Sequence, residues 1–281
     1  MSASRTAPRI AAVIGSPVAH SLSPAIHQAA FDAAEIPWTY TAFDIAPGQA
    51  HAALASMRLL RLAGLSVTMP HKSDVARLVD RLDPAARALD SVNTVSWDGN
   101  ELVGSSTDGP GFVASLIDAG VDVQGARLAV IGAGGAARSV IDALGRAGVS
   151  DIIVVNRTRD RAEQAAALAR AASVGMVRDV SRADVVVNAT SVGMGVDVAD
   201  AGPDDLPCDP ALLRAGQVVA DLVYHPLETA WMSAACAAGA HAVDGLGMLV
   251  HQAALQQEAW LGHRPDTAPM RAAALAELAA R

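Results

Sequence analysis

Leu128-Ala129-Val130-Ile131-Gly132-Ala133-Gly134-Gly135-Ala136-Ala137 decides the fold. Four apolar residues without a polar interruption read as a strand covered on both faces. The glycines read as a tight turn, and the pattern from Gly135 to Ala147 reads as a helix. Strand, glycine turn and helix start are the context in which G-x-G-x-x-A marks a dinucleotide site. Gly132 permits the turn, Gly134 lets the backbone approach a pyrophosphate, and Ala137 lets the helix pack close to the strand. The helix N-terminus then offers free N–H groups and a partial positive charge to the phosphates. The turn residues expected against the coenzyme are Gly132, Ala133, Gly134, Gly135 and Ala136.

The next strand decides between dinucleotides. An NAD site places a carboxylate on the ribose roughly 20 residues beyond the first glycine. Here the strand ends Val154-Val155-Asn156-Arg157-Thr158, with no acid at its tip and a guanidinium in its place. Arginine matches a 2′-phosphate bidentately, so NADP(H) is expected over NAD. The competing reading makes Arg157 and Arg159 solvated charges opening a helix. A cation there opposes the helix dipole, and a bound anion would relieve the conflict.

Outward from this unit, short apolar strands alternate with helical patterns through the whole chain, which reads as α/β with largely parallel sheets. Before it come strands near 10–14, 39–43 and 65–68, helices near 24–35 and 47–61, and a hairpin around Asp98-Gly99. After it come a strand at 152–155, a helix from Arg159 to Ala171, and strands at 185–187 and 218–222. Residues 195–210, rich in Asp, Gly and Pro, read as loop. The expected domains are a substrate and catalytic domain at 1–106 and a Rossmann-like domain at 107–244. Helices at 245–281 are expected to return to the first domain.

The 281 residues carry a net charge of −8, so no basic surplus exists for a nucleic-acid backbone. No apolar run is long enough to span a bilayer. Cys208 and Cys236 make neither a disulfide framework nor a metal motif. The eight histidines show no zinc spacing. A cytoplasmic, reduced protein is expected, with no metal and with no nucleic-acid or membrane partner. Lysine and arginine number 21, and Lys72 is the only lysine. Lysine can release a proton in a protein and arginine cannot.

Three polar clusters each precede a helical pattern: His20-Ser21-Leu22-Ser23-Pro24, Ser66-Val67-Thr68-Met69-Pro70-His71-Lys72 and Ser105-Ser106-Thr107-Asp108-Gly109-Pro110. Taken singly, Ser23, Thr68 and Asp108 read as helix caps. Together they bring hydroxyls, one lysine and one aspartate to helix N-termini, a set suited to a small anion.

The chain resembles the shikimate dehydrogenase family. The motifs are S-x-S-P from Ser21, V-T-x-P-x-K ending at Lys72, V-N-T at Asn93, T-D-G-x-G-F at Asp108 and the glycine turn. N-R-T at Asn156, N-A-T-S-x-G-M at Thr190, D-x-x-Y-x-P at Tyr224 and G-L-G-M-L-x-x-Q-A from Gly245 complete the set, in order, from Ile14 to about Trp260. The resemblance implies an enzyme acting on a small molecule, as monomer or homodimer, by reversible NADP-dependent reduction of 3-dehydroshikimate to shikimate, in the chorismate pathway to aromatic amino acids. It implies that Lys72 is catalytic with Asp108 as its partner, and that Ser21 and Ser23 hold the substrate carboxylate. Thr68, Asn93 and Gln252 would line the ring hydroxyls, with Tyr224 near substrate and nicotinamide. Asn156, Arg157 and Thr158 would meet the NADP phosphate, and Thr190, Gly245 and Met248 the rest of the coenzyme. Hydride arrival at the ketone carbon develops an oxyanion, which an ammonium both stabilises and protonates.

Ser66 and Ser106 stand where many members have asparagine. Serine reaches less far and offers one donor where asparagine offers two. Quinate or aminoshikimate are therefore the alternative substrates. A non-catalytic NADP(H)-binding regulatory protein on the same scaffold is the alternative of a different class.

Overall fold

The computed structural model describes residues 8–281. Its first strands are β1 (Arg9–Gly15), β2 (Trp38–Asp44), β3 (Gly64–Val67), β4 (Arg81–Leu82), β5 (Thr94–Asp98) and β6 (Glu101–Ser105). They form one sheet in the order β2-β1-β3-β5-β6-β4. β1 pairs in parallel with both β2 and β3, whereas β5 runs antiparallel to β3 and to β6. Four helices interleave: α1 (Ser23–Ala33), α2 (Ala50–Leu60), α3 (Lys72–Leu78) and α4 (Pro84–Leu89).

Alternation along the strands builds two cores. Ala12, Ile14, Leu65 and Val67 point to one face and pack with Leu54 and Met57 of α2 and Val75 of α3. Ala11, Val13, Trp38 and Tyr40 point to the other and meet Phe31 of α1 and Trp260 from near the C-terminus. Gly64 is required there, because a Cβ would lie 2.1 Å from Trp260 Nε1. The indole lies over the strand in that space and donates to Val95 O at 3.1 Å.

The second sheet follows α5 (Asp108–Asp118). Its elements are β7 (Arg127–Ile131), α6 (Gly135–Arg146), β8 (Asp151–Val155), α7 (Arg159–Ala166), β9 (Ala172–Val174), β10 (Val185–Asn188), β11 (Val218–Asp221), α8 (Ala230–Ala237) and β12 (His241–Val243). All neighbouring strands are parallel, in the order β12-β11-β10-β7-β8-β9. Counted from β7 this is the 3-2-1-4-5-6 order of a doubly wound sheet, whose switch point falls between β7 and β10. The apolar run Leu128–Ile131 is buried throughout, as a central parallel strand must be. Two helices end the chain, α9 (Gly245–Leu261) and α10 (Ala268–Ala279), the latter packed on α1.

The chain divides into two compact units. One holds the residues up to Thr107 together with Val250–Arg281, and the other holds Asp108–Leu249. The C-terminal helices therefore belong to the first unit, and α9 begins in one unit and ends in the other. The α/β class read from the alternation holds in both.

Some elements differ from the sequence reading. The helix expected to reach Ala171 stops at Ala166, and Ala172–Val174 pairs as an edge strand. The hairpin pairs Asp98 with Glu101, so its turn is Gly99-Asn100, one residue later than expected. Gly99 has φ +61° at the first turn position, where a type II′ turn favours glycine. Residues 195–210 are largely loop, with short 3₁₀ turns at Pro203–Asp205 and Pro210–Leu212.

Candidate active site

In the second unit the glycine turn has the geometry its motif demands. Gly132 has φ +119°, and a Cβ there would lie 2.9 Å from Ala189 O. Its N–H donates to Val155 O at 2.8 Å, tying the turn to β8. Gly134 caps α6, with no side chain accepting from the first turn. Gly134 and Gly135 are exposed, and a Cβ built at either would meet nothing within 4 Å beyond the adjoining backbone, so a ligand has room to approach the turn. Ala133 and Ala137 are buried in the core, while Ala136 is exposed. This open, uncapped helix start fits a pyrophosphate.

At the tip of β8, Asn156 Nδ2 donates to Thr158 O at 2.9 Å and stiffens the turn into α7. Arg159 is paired with Glu163 one helical turn on, at 2.8 Å. Arg157 is exposed at the strand tip, and no carboxylate occupies the ribose position. A 2′-phosphate suits this donor set better than a bare ribose hydroxyl does.

The ends of β10 and β11 are joined by a buried network in which only Thr190 has a role expected from the sequence. Asn188 Nδ2 donates to Asp221 Oδ1 at 2.9 Å and to Val192 O at 3.2 Å. Asn188 Oδ1 accepts from the amide and hydroxyl of Thr190, at 3.1 and 2.6 Å. Asp221 also accepts from Val223 N at 3.0 Å and from Thr229 Oγ1 at 2.8 Å. Burial pushes its carboxyl up to about 6, against three hydrogen bonds that favour the charged form. The network braces the loops carrying Thr190 and the half-buried Tyr224. The signal was present, since Asn188 and Asp221 each open a quoted motif and each end an apolar strand. Gly245 opens α9 where a Cβ would lie 2.6 Å from Leu222 O and Val223 O, and Met248 packs against the core.

Of the residues proposed for substrate and catalysis, Ser21, Ser23, Thr68, Lys72, Asn93 and Gln252 belong to the first unit, and Asp108 and Tyr224 to the second. Ser23 is the first helical residue of α1 and not its cap, a position that falls to Leu22 with no side-chain cap bond; Ser21 Oγ, one residue earlier, accepts from Ser23 N at 3.2 Å. Thr68 is not a cap either. Its amide donates to Ile14 O at 2.9 Å and its carbonyl accepts from His71 N at 3.0 Å, which places it in the turn before α3. Lys72 opens α3, half-buried, with its carbonyl accepting from Val92 N at 3.0 Å. Asp108 opens α5 in the second unit as its first helical residue rather than its cap.

Asn93 and Gln252 come together. Asn93 Oδ1 accepts from Thr107 N and Thr94 Oγ1, both at 2.8 Å. Its Nδ2 donates to Thr107 Oγ1 at 2.9 Å and reaches Gln252 Oε1 at 3.5 Å. Beneath them lies a chain that sequence reading missed. Tyr40 Oη donates to Ser66 Oγ, and Ser66 Oγ donates to Gln256 Oε1, both at 2.6 Å. His27 stacks on Tyr40 with centroids 4.1 Å apart. Its Nδ1 accepts from Gln257 Nε2 at 3.2 Å and its Nε2 donates to Gln256 Oε1 at 3.1 Å. Burial pulls the His27 pKa down to about 3, which keeps the ring neutral and its donor fixed. The signal for this chain was the adjacent pair Gln256-Gln257 on α9, a mostly apolar helix that His251, Gln252 and Glu258 also interrupt.

Comparison with known proteins extends the likeness over the whole chain. A model of the shikimate dehydrogenase substrate binding domain matches residues 13–95. A shikimate/quinate 5-dehydrogenase model matches 115–196, and a shikimate 5'-dehydrogenase C-terminal domain matches 245–275. A shikimate dehydrogenase (NADP(+)) from Symbiobacterium thermophilum is 45% identical, covering 99% of this chain and 97% of its own. The structure of shikimate 5-dehydrogenase from Thermus thermophilus with NADP(H) and shikimate superposes with a TM-score of 0.87 at 34% identity, covering 96% of this chain and 99% of that one. A quinate dehydrogenase from Corynebacterium glutamicum in complex with NAD gives a TM-score of 0.87 at 30% identity, covering 96% and 100%. With this likeness running through both sheets and the C-terminal helices, the chain belongs to the shikimate dehydrogenase family.

Proposed function

We propose that the protein catalyses the NADP-dependent, reversible reduction of 3-dehydroshikimate to shikimate. The observation that carries this is the 45% identity over 99% of the chain to an NADP-dependent shikimate dehydrogenase. Two free cysteines, one buried and one exposed, accord with work in a reducing cytoplasm.

Bound NADPH supplies the hydride that reduces the ketone. Gly132, Ala133, Gly134, Gly135 and Ala136 hold its pyrophosphate, Asn156, Arg157 and Thr158 its 2′-phosphate, and Thr190, Gly245 and Met248 its remaining half. Support comes from the exposed Gly134 and Gly135, where a Cβ would meet nothing, and from the acid-free tip of β8. Ser21 and Ser23 present hydroxyls to the substrate carboxylate. Thr68, Asn93 and Gln252 hold ring hydroxyls, and Tyr224 borders them. The Lys72 ammonium stabilises the developing alkoxide and gives it a proton from Nζ. Asp108 is the carboxylate that the family pattern pairs with Lys72.

A second reading, quinate as the preferred substrate, is favoured by one observation. The position many members fill with asparagine holds Ser66, whose hydroxyl is already engaged by Tyr40 and Gln256. A spectrophotometric panel of shikimate, quinate and aminoshikimate against NADP⁺ and NAD⁺ separates these. Shikimate with NADP⁺ is expected to give the highest kcat/KM. Coenzyme binding without turnover of any cyclic acid would replace the enzyme reading with a regulatory one.

A further inference from the structure

Gln252, Gln256 and Trp260 follow one another at intervals of four along α9, which places them on one face of the helix. Each makes a polar contact with the same segment of the first sheet. Gln252 Oε1 lies 3.5 Å from Asn93 Nδ2, Gln256 Nε2 donates to Asn93 O at 3.0 Å, and Trp260 Nε1 donates to Val95 O at 3.1 Å. Gln256 is the central rung and is buried. It is also the rung that reaches sideways. Its Oε1 accepts both from Ser66 on β3 and from His27 on α1.

The polarity of this node is determined throughout. The His27 Nδ1 takes a proton donor from Gln257, so the ring must donate from Nε2. The Gln256 amide nitrogen donates to the Asn93 carbonyl, which can only accept, and this bond by itself fixes the Gln256 oxygen as the acceptor facing Ser66 and His27. Ser66 spends its single proton on Gln256 and one lone pair on Tyr40. A serine so held is left with one lone pair, and it cannot donate to anything else.

We propose that Gln256 is a positioning residue of the substrate pocket: it supplies from the C-terminal helix the carboxamide that position 66 lacks, setting the orientation of Ser66 and the placement of Asn93. This rests on the function proposed above. It acts on the binding of the cyclic hydroxy acid, through Ser66 and Asn93, and leaves the proton-transfer group and the coenzyme untouched.

Gln257 supplies the control. It is equally buried and joins the same helices, through His27 Nδ1 and O, yet touches neither Ser66 nor Asn93. Steady-state kinetics of shikimate oxidation and thermal melting are measured for the full chain, Gln256→Ala, Gln257→Ala and the double variant Ser66→Asn/Gln256→Ala. Gln256→Ala is expected to raise KM for shikimate about tenfold, with kcat within about threefold and KM for NADP⁺ unchanged. Gln257→Ala is expected to melt earlier by a similar margin with KM for shikimate within about twofold. The double variant, with its carboxamide returned to the strand, is expected to recover at least about threefold of the lost KM. An unchanged KM in Gln256→Ala, an equal rise in Gln257→Ala, or a double variant no better than the single overturns the proposal. Where Gln256→Ala does not fold, a folded double variant decides: KM near the parent value supports it, and KM about tenfold higher overturns it. A parent protein inactive on shikimate and quinate removes the reading of function itself, and that is read before any variant is made.

Discussion

Lys72 is the only lysine in the chain. An ammonium can both stabilise an alkoxide and surrender a proton, and a guanidinium can do only the first. Lys72→Ala is therefore expected to lower kcat by about 10²- to 10⁴-fold while KM for shikimate moves by less than about tenfold. Lys72→Arg is expected to recover little of the loss. Steady-state kinetics in both directions check this, and near-normal turnover in Lys72→Ala would take the residue out of the chemistry. Arg157 makes a different kind of claim. Arg159 beside it is held by Glu163, whereas Arg157 stands exposed where the ribose carboxylate of an NAD enzyme would be. Arg157→Ala is expected to raise KM for NADP⁺ by about ten- to a hundredfold and to change KM for NAD⁺ little. A parallel rise for both coenzymes would mean that the arginine serves the fold instead of the phosphate.

Elements show how far local signals reach. The strand Leu128–Ile131, its glycine turn and α6 were legible because periodicity, glycine placement and helix start all agree there. α8 was missed although Thr229 Oγ1 accepts from Met232 N as an ordinary N-cap, because the following Ala-Trp-Met-Ser-Ala-Ala has no polar face to mark a helical period. Short edge strands such as Ala172–Val174 are invisible for another reason. Three residues give no alternation, and only the pairing with β8 makes them a strand. The brace joining β10, β11 and α8 is likewise a product of tertiary structure, since Asn188, Asp221 and Thr229 meet only once the sheet forms. It carries a testable sign. Burial raises Asp221 from 3.8 to about 6. Between those values the folded protein binds the proton more tightly than the unfolded chain does. Stability from this group is thus greatest in acid and falls as pH rises through that window, by about 3 kcal/mol in all. Asp221→Asn removes the titration. The melting temperature of the parent minus that of the variant is expected to decline from pH 4 to about pH 6.5 and then level off. Parallel melting curves across that range would show that Asp221 does not titrate there.

Across the whole molecule, two sheets of different logic share one chain. The second sheet is wholly parallel, and its order could be anticipated from a single glycine turn. The first mixes parallel strands with an antiparallel hairpin, and nothing local to β3 or β5 announces that they pair. The candidate site was legible as motifs because each motif marks the end of a strand or the start of a helix. Its inner support was not. Tyr40, Ser66, Gln256 and His27 are separated by up to 229 positions and are joined only by burial and complementary donors. If the motifs are divided between the units as proposed, each ligand should leave its own footprint. Ligand binding stabilises the amides it orders in proportion to occupancy. NADP⁺ alone is expected to slow hydrogen exchange by about tenfold or more at residues 132–138, 156–159 and 188–193, with little change before residue 105. Shikimate alone is expected to slow exchange at residues 21–27, 66–72 and 250–256 and to leave 156–159 unchanged. Exchange followed by mass spectrometry with each ligand at about a hundredfold its Kd, where roughly 2.7 kcal/mol of stabilisation is available, reads both maps from one preparation. Protection by NADP⁺ centred on residues 21–27, or by shikimate on 156–159, would reverse the assignment of the two units and with it the roles given to Lys72 and Arg157.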